Sequence, residues 1–531
     1  MPRTRAKQYP RTRTDLRGEP IVGMYDQLDS AVARPNMARE LTNCYLPPGK
    51  GGRMVLGRPG IAALGAQLGS MGVRTVQYLG QFTKLAGTRY TIAIVGGKFY
   101  TLNWGTSTWS EAVNAATFSG ASITVSTTAR FHSAVLADKV IFSDGVNTPW
   151  MWDGTTNGGL TKLTNAPVLY GPMCVYYAKL FGIKAAERDT FVWCEEGDPE
   201  TGYEAGGYNN AWSPLGAGQF HALASSNNAL YAFESRRAIR ITGAVDTDFT
   251  TSGTRSDLSE RTGTFGFPLV TDDGIVFVSA DGAPYIIRGG LNNMWEDCQT
   301  ATSAMAVGSL AKAILVEWPI IDAVLIGVPL EPNTVVSQWL VFRLSGEEPR
   351  YIGRWDLGLN DMGSVVLNDS LVPTFLLSGN TDGYIYQMGQ PTGLTWDDGF
   401  VAGTSMIPHT VTWHPLGVDV DTDRTFDRMT ALLGGETSQT QITSSYQTTR
   451  GTSTGQTATV TGSSGALLGI GFTLGTSTFA GAQPERRVVF GLNGWGRWIA
   501  PTVRHEQVGK TFSLKAVTVE AYPWGTDPTL P

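Results

Sequence analysis

Four short patterns in this chain bring together residue types that chemistry uses. Val508-Gly509-Lys510-Thr511 has the closing residues of a phosphate-binding loop. The full pattern G-x-x-x-x-G-K-[ST] needs Gly at position 504, where the backbone curls tightly around phosphate; here it is Arg504. A strand-like run follows Lys510 instead of a helix that would aim its N–H groups at an anion, so the segment reads as a hairpin turn. Asp419, Asp421 and Asp423 form D-x-D-x-D, but the sixth and twelfth positions of a calcium loop hold Arg424 and Thr430 instead of Gly and Glu. A solvated acidic turn is the reading, with a cation cage of another design as the alternative. There are five histidines, and His409 and His414 lie five apart in a β-like run, which sends them to opposite faces of a strand and denies them a shared zinc.

The remaining candidates fail on spacing. No G-x-S-x-G nucleophile turn occurs. Glu195-Glu196 and Asp397-Asp398 are sequence neighbours, whereas glycosidase carboxyls face each other across a substrate. Ser279-Ala280-Asp281-Gly282 and Ser143-Asp144-Gly145 approach the S-x-D-x-G-x-x-W turn of sialic-acid-hydrolysing propellers without matching it. The Trp104/Trp109, Trp150/Trp152 and Trp193/Trp212 pairs could stack sugars, but large apolar rings gain most by burial and read first as core. No catalytic, cofactor-binding or metal-ligating residue is assigned, and the chain is expected not to be an enzyme.

The elements that carry these residues are strands. Of 531 residues, 42% are hydrophobic and only 16% charged, with 64 glycines, 15 Trp, 18 Tyr and 21 Phe. Globular chains average about 25% charged. Glycine supplies positive-φ turn positions and aromatics pack well on pleated surfaces, so the composition indicates an all-β protein. β-rich runs joined by Asp-Gly or Gly-Gly turns recur at 90–102, 139–152, 173–183, 229–241, 274–287 and 374–387, with a longer version at 323–355. In 275–287 one residue set points to each face, and Asp281-Gly282 suits a tight hairpin. Hairpins returning every ~35–55 residues match propeller blades, which must stack to bury their faces. The expected fold is a β-propeller of about six or seven irregular blades over 76–395, with two large β-sandwiches as the alternative.

From 396 to 531 the chain holds a Thr/Ser/Gly-rich tract (434–482) whose only charges are Glu436 and Arg450. β patterning at 457–462, 467–475, 487–492 and 512–522, with turns expected at Asn493-Gly494 and 508–510, suggests a C-terminal β-sandwich-like domain with long loops. Residues 1–75 lack periodicity and read as an extended arm and lead-in with little core of its own. The greasiest stretch, 313–330, is broken by Glu317, Pro319 and Asp322 and reads as two strands around a turn, so no membrane span is expected.

The formal charge is −6. Residues 1–17 carry Arg3, Arg5, Lys7, Arg11, Arg13 and Arg17 against Asp15 alone, so a basic arm precedes a body of about −11. These six residues are the candidate partner-docking set, facing an acidic surface such as a neighbouring copy; a solvated tail is the alternative. Cys44, Cys174, Cys194 and Cys298 are widely spaced and read as reduced, buried thiols. No apolar stretch follows the basic N-terminus, so no secretion signal is read.

Asn43-Cys44-Tyr45, a Gly-rich link and Gly57-Arg58-Pro59-Gly60 resemble the lead-in of short-tailed bacteriophage tail nozzle proteins, the tail tubular protein B or packaged-DNA stabilisation type. Phe142-Ser143-Asp144-Gly145, Pro149 through Gly154, Gly327-Val328-Pro329 before Trp339 through Phe342, and Gly496-Arg497-Trp498 with Phe512 extend the likeness over most of the chain. The resemblance implies a propeller with added β domains, present as a hexameric ring in the virion tail. It implies attachment below the portal and adaptor, and an axial channel that retains double-stranded DNA and passes it at ejection without sequence-specific binding. An acidic body would suit a channel that must not grip phosphate. The competing expectation is a glycan-binding or glycan-hydrolysing propeller on the virion surface, motivated by the Trp/Asp turns.

Overall fold

The computed structural model describes residues 13–18, 21–26, 37–48, 54–111, 123–155, 159–203, 211–212, 218–226, 228–243, 254–332, 335–346, 348–359, 361–365, 375–388, 398–400, 403–417, 423–434, 440–460, 486–507, 510 and 512–523. The fold is a β-propeller. Seven antiparallel sheets follow one another along the chain: blade 1 (76–111), blade 2 (132–162), blade 3 (169–212), blade 4 (220–259), blade 5 (269–293), blade 6 (314–359) and blade 7 (361–388). In every blade the first strand is innermost. From blade 2 to blade 7 these inner strands contact one another in sequence, Tyr78 of blade 1 hydrogen-bonds Ser133 of blade 2 at 2.8 Å, and Asp361–Val365 of blade 7 packs on Val76–Thr83 of blade 1, closing the ring. The approach is tight: a Cβ on Gly363 would lie 2.5 Å from the Leu79 carbonyl oxygen.

Blade 7 has only three strands of its own. The fourth is Ile61–Ala63, whose backbone pairs with Ile385–Met388 (Ile61 opposite Met388, Ala63 opposite Tyr386). A segment preceding blade 1 thus completes the last blade, and the ring is fastened by hydrogen bonds as well as by packing.

The hairpin turns follow the geometry that sheet twist demands, but not always the residues the sequence offered. Gly96-Gly97 is a two-residue turn with φ of 56° and 75°. Ala137-Asp138 and Tyr177-Ala178 are equally tight, at 49°/60° and 49°/55°, with no glycine. Asp281-Gly282, in contrast, sits in a five-residue loop between Val278 and Pro284. There the Ser279 hydroxyl donates to Asp281 and to the Ala283 carbonyl and accepts from the Ala283 N–H, so side-chain bonds replace the tight turn. Likewise Asn493-Gly494 is no turn; the strand Arg486–Gly496 runs through it.

Aromatic wedges fill the seams between blades. Between blades 1 and 2, Phe82, Phe99, Phe142, Trp150 and Trp152 form one buried cluster, with Phe142 stacked on Trp150 at 4.5 Å and Phe99 edge-on to Trp152 at 5.0 Å. Trp193 plays the same part between blades 3 and 4, stacked on Phe181 at 5.4 Å. Each such ring is worth about 1.5–3 kcal/mol of burial. Trp104 and Trp109 are half-buried, their indoles donating to Thr91 Oγ1 and the Leu64 carbonyl. These five tryptophans are packing residues. The Trp212 side chain lies outside the described residues.

The N-terminal segment is not a separate lead-in. Met37–Thr42 inserts between Arg350–Leu359, the outermost strand of blade 6, and His409–Trp413. One ten-stranded sheet therefore runs from the propeller axis through blade 6 and on into Ile499–His505, Thr440–Thr448 and Gly451–Val460. A second sheet packs across it, built from Thr14–Gly18, Cys44–Tyr45, Val55–Gly57, Ser513–Pro523, Arg424–Leu433 and Arg486–Gly496. With Gly23–Met24, which pairs with Met37–Thr42, the C-terminal sandwich thus takes five of its strands from the first 57 residues. Of the segments read as strands in the tail, 467–475 lies outside the described residues. No helix among the described residues is long and apolar enough to cross a membrane.

Candidate functional site

The inner strands of all seven blades surround an axial cavity of about 670 Å³. At the face where the chain enters each inner strand, this channel is bolted shut. Arg130, just before blade 2, reaches across the axis: its Nη1 donates to the Ala313 carbonyl at the start of blade 6 (3.0 Å) and its Nη2 to Asp361 Oδ1 of blade 7 (3.0 Å). The other Asp361 oxygen accepts the Leu79 N–H of blade 1 at 2.8 Å. Phe267, just before blade 5, lies under the Arg130 guanidinium at 4.4 Å and against the His132 ring at 4.0 Å. Five blades thus meet in one side-chain cluster.

The electrostatics follow from burial. Desolvation pushes the Asp361 carboxyl up, while Arg130 and the Leu79 N–H pull it back towards the ionised form. Burial first, and then the Arg130 cation, hold the His132 imidazole well below its usual value, so it is neutral at pH 7. Asp361 gives one oxygen to Arg130 and the other to the Leu79 N–H, and these contacts tie blades 1, 2 and 7 together. Sequence patterns gave no sign of the cluster, because its side chains, Arg130, His132, Phe267 and Asp361, are single residues at the entries to three different blades.

The residues that tempted a catalytic reading are engaged as follows. Asp144 accepts from the backbone N–H of Val146 (3.0 Å) and Asn147 (2.7 Å) with Oδ1, and from the Ser126 N–H (2.8 Å) and Asn147 side chain (2.6 Å) with Oδ2. The Ser143 hydroxyl donates to the Leu169 carbonyl, tying blade 2 to blade 3. Asp144→Ala is accordingly expected to lower stability by about 2–3 kcal/mol through the N–H groups it orphans, read as a drop in thermal midpoint. A midpoint unchanged within error would show that Asp144 is free for another task. Glu195 and Glu196 lie at the outer edge of blade 3, where Lys179 approaches Glu195 at 3.9 Å. Asp423 pairs with Arg450 at 3.3 Å; Asp419 and Asp421 lie outside the described residues, as do Val508, Gly509 and Thr511.

Asp398 is described, whereas Asp397 lies outside the described residues. Asp398 is buried and takes a two-pronged ion pair from Arg58, Nη1 to Oδ1 at 2.8 Å and Nη2 to Oδ2 at 2.6 Å. Arg58 is 1% exposed. Its Nε donates to Asn43 Oδ1 at 3.0 Å, which also accepts the Asp356 N–H of blade 6, while Asn43 Nδ2 donates to the Pro408 carbonyl. Beside this knot His409 and His505, paired across adjacent strands, bring their Nδ1 atoms to 3.3 Å and both stack on Phe512. A Cβ on Gly57 would sit 2.5 Å from the His409 ring, so glycine there sets the approach. His414 does point elsewhere, to the Tyr25 carbonyl, in keeping with the odd spacing.

Of the six basic arm residues, Arg3, Arg5, Lys7 and Arg11 lie outside the described residues. Arg13 is half-exposed and already paired, with Asp15 at 2.6 Å and Glu520 at 3.0 Å. Arg17 sits on the strand Thr14–Gly18, opposite Thr518. The four cysteines are free and buried.

Neither a protein-family model nor a curated protein matches the chain. Among solved structures, it is similar to BamB from Moraxella catarrhalis, with 13% identity over 72% of this chain and 100% of that one, at a TM-score of 0.34. YCF48 bound to D1 peptide has 12% identity over 63% and 99%, at 0.37. PorZ, a surface component of the type-IX secretion system of Porphyromonas gingivalis, has 10% identity over 68% and 43%, at 0.36. The order of this chain's own sheets establishes its fold independently of these likenesses.

Proposed function

We propose that this chain is a structural protein of a short-tailed bacteriophage tail, a nozzle ring below the portal and adaptor that retains packaged DNA and gives it a path at ejection. The observation that carries this reading is the fusion of propeller and sandwich. Asn43 and Arg58, from the two lead-in motifs of the family resemblance, meet at the seam where blade 6, blade 7's outer strands and the C-terminal sheets join. A rigid body made by weaving N- and C-terminal strands through a propeller rim suits a part whose task is contact with neighbours.

The bolted axis bears on how DNA would pass. A cavity of about 670 Å³ closed by Arg130 and Phe267 has no room for a duplex, so the conduit lies between copies in the ring and not through one propeller. The test is the native mass of the purified protein with an image down its symmetry axis. A closed ring of about six copies around an open hole is the expected result. A compact monomer at every concentration, or specific capture or cleavage of a host polysaccharide, overturns the proposal.

A further inference from the structure

Opposite the bolted mouth, on the face where the first two strands of each blade turn, the cavity is open. Val135 of blade 2 and Val270 of blade 5 line it and are 45% and 43% exposed. Glu317, on the inner strand of blade 6, lines it too. Burial raises the Glu317 carboxyl, and Asp272, Asp273 and Asp322 raise it further, so anionic charge is crowded at this rim. Arg288 answers Asp273 at 3.0 Å and Arg343 answers Asp322 at 3.6 Å. No ion pair to Glu317 or Asp272 is found among the described residues. The mouth therefore offers an aliphatic wall next to uncompensated carboxylates. A long cationic side chain satisfies both, laying its methylenes on the valines and its head on the acids.

We propose that this mouth receives the basic N-terminal arm, residues 1–12, of a second copy of the chain. The arm carries Arg3, Arg5, Lys7 and Arg11 and no acidic residue. Fully extended, twelve residues span about 40 Å. Its anchor, Thr14–Gly18, belongs to the sandwich that continues outward from blade 6. The remainder of the chain is strongly acidic, so bare bodies repel; an arm placed on a neighbour converts that repulsion into attraction. The inference rests on the assembly reading only for the existence of a neighbour.

The experiment titrates protein lacking residues 1–12 with a dye-labelled peptide of those residues, read by fluorescence anisotropy. Saturable binding is expected, weakened about tenfold or more by Glu317→Gln with Asp272→Asn, and weakened by salt. A peptide with its four cations replaced by glutamine leaves the protein untouched and should not bind. Equal binding to the acid-neutralised protein, or none at low salt, overturns the proposal. Full-length protein should exclude the peptide only at concentrations where it associates. If dilute monomer excludes it equally, the arm occupies its own cavity and the second copy is wrong. Ring mass reports separately on the nozzle reading, so the two failures are distinguishable.

Discussion

Arg58→Ala should lower the free energy of the first unfolding transition by roughly 3–5 kcal/mol, the loss seen when one partner of a buried ion pair is removed. The size comes from what stays behind. Asp398, its side chain 9% exposed, would keep a carboxylate whose two charge-assisted donors have gone, and Asn43 would lose one of its two donors. Asp398→Asn should cost a similar amount by stranding the guanidinium. The double replacement Arg58→Met with Asp398→Leu should recover much of the loss, since the desolvation penalty disappears along with the attraction. Denaturant titration followed by intrinsic tryptophan fluorescence checks all three, with midpoints compared at constant slope. A single-mutant loss under about 1 kcal/mol, typical of exposed pairs, would mean the seam is held by strand pairing alone.

Acidification should loosen the same seam. Burial above all depresses His409 to about 3 and His505 to about 4, and the neighbouring His505 lowers His409 further. Arg58 faces His409 and lowers it further, Phe512 covers both rings, and Thr440 Oγ1 meets His505 Nε2 at 2.7 Å. Imidazoles titrate near 6.5 when the chain is unfolded, so below that pH the unfolded state binds more protons than the folded one and stability falls. Full stability is present above about 6.5 and drains away down to the folded values, at about 2 kcal/mol per imidazole by pH 5. His132, His221 and His414 are also depressed by burial and act with the same sign. The raised carboxyls of Asp26 and Asp361 act with the opposite sign as the pH nears their range. The decisive measurement is therefore a difference: His409→Gln with His505→Gln should flatten the loss between pH 7 and 5 relative to the parent. An unchanged slope would place the acid sensitivity elsewhere.

The strands themselves were legible because alternation is local. Glu317, Pro319 and Asp322 correctly split 313–330 into Ile314–Trp318 and Ala323–Val328. Trp104, Trp109, Trp150, Trp152 and Trp193 read as core because ring area favours burial wherever the ring lies. Turn chemistry was less legible. Asp281-Gly282 looked like a tight hairpin, but Ser279 captured Asp281, and Tyr177-Ala178 made a tight turn that no residue preference announces. The lead-in misled more fully: short strands such as Ile61–Ala63 and Val55–Gly57 are too brief for periodicity and gain their order from partners over three hundred residues away.

By itself, then, the sequence determined the class of element, the repeating hairpin and the absence of charge needed for a β-rich core, all of which follow from side-chain size and alternation over a few residues. Only the tertiary structure decided that there are seven blades, that residues before blade 1 finish blade 7, that Arg130 closes the axis, and that Arg58 finds Asp398. Those outcomes depend on which polar groups meet once the ring closes and water is excluded. A buried charge is tolerable only where its partner arrives, and that meeting is fixed by the packing of distant strands and not by spacing along the chain.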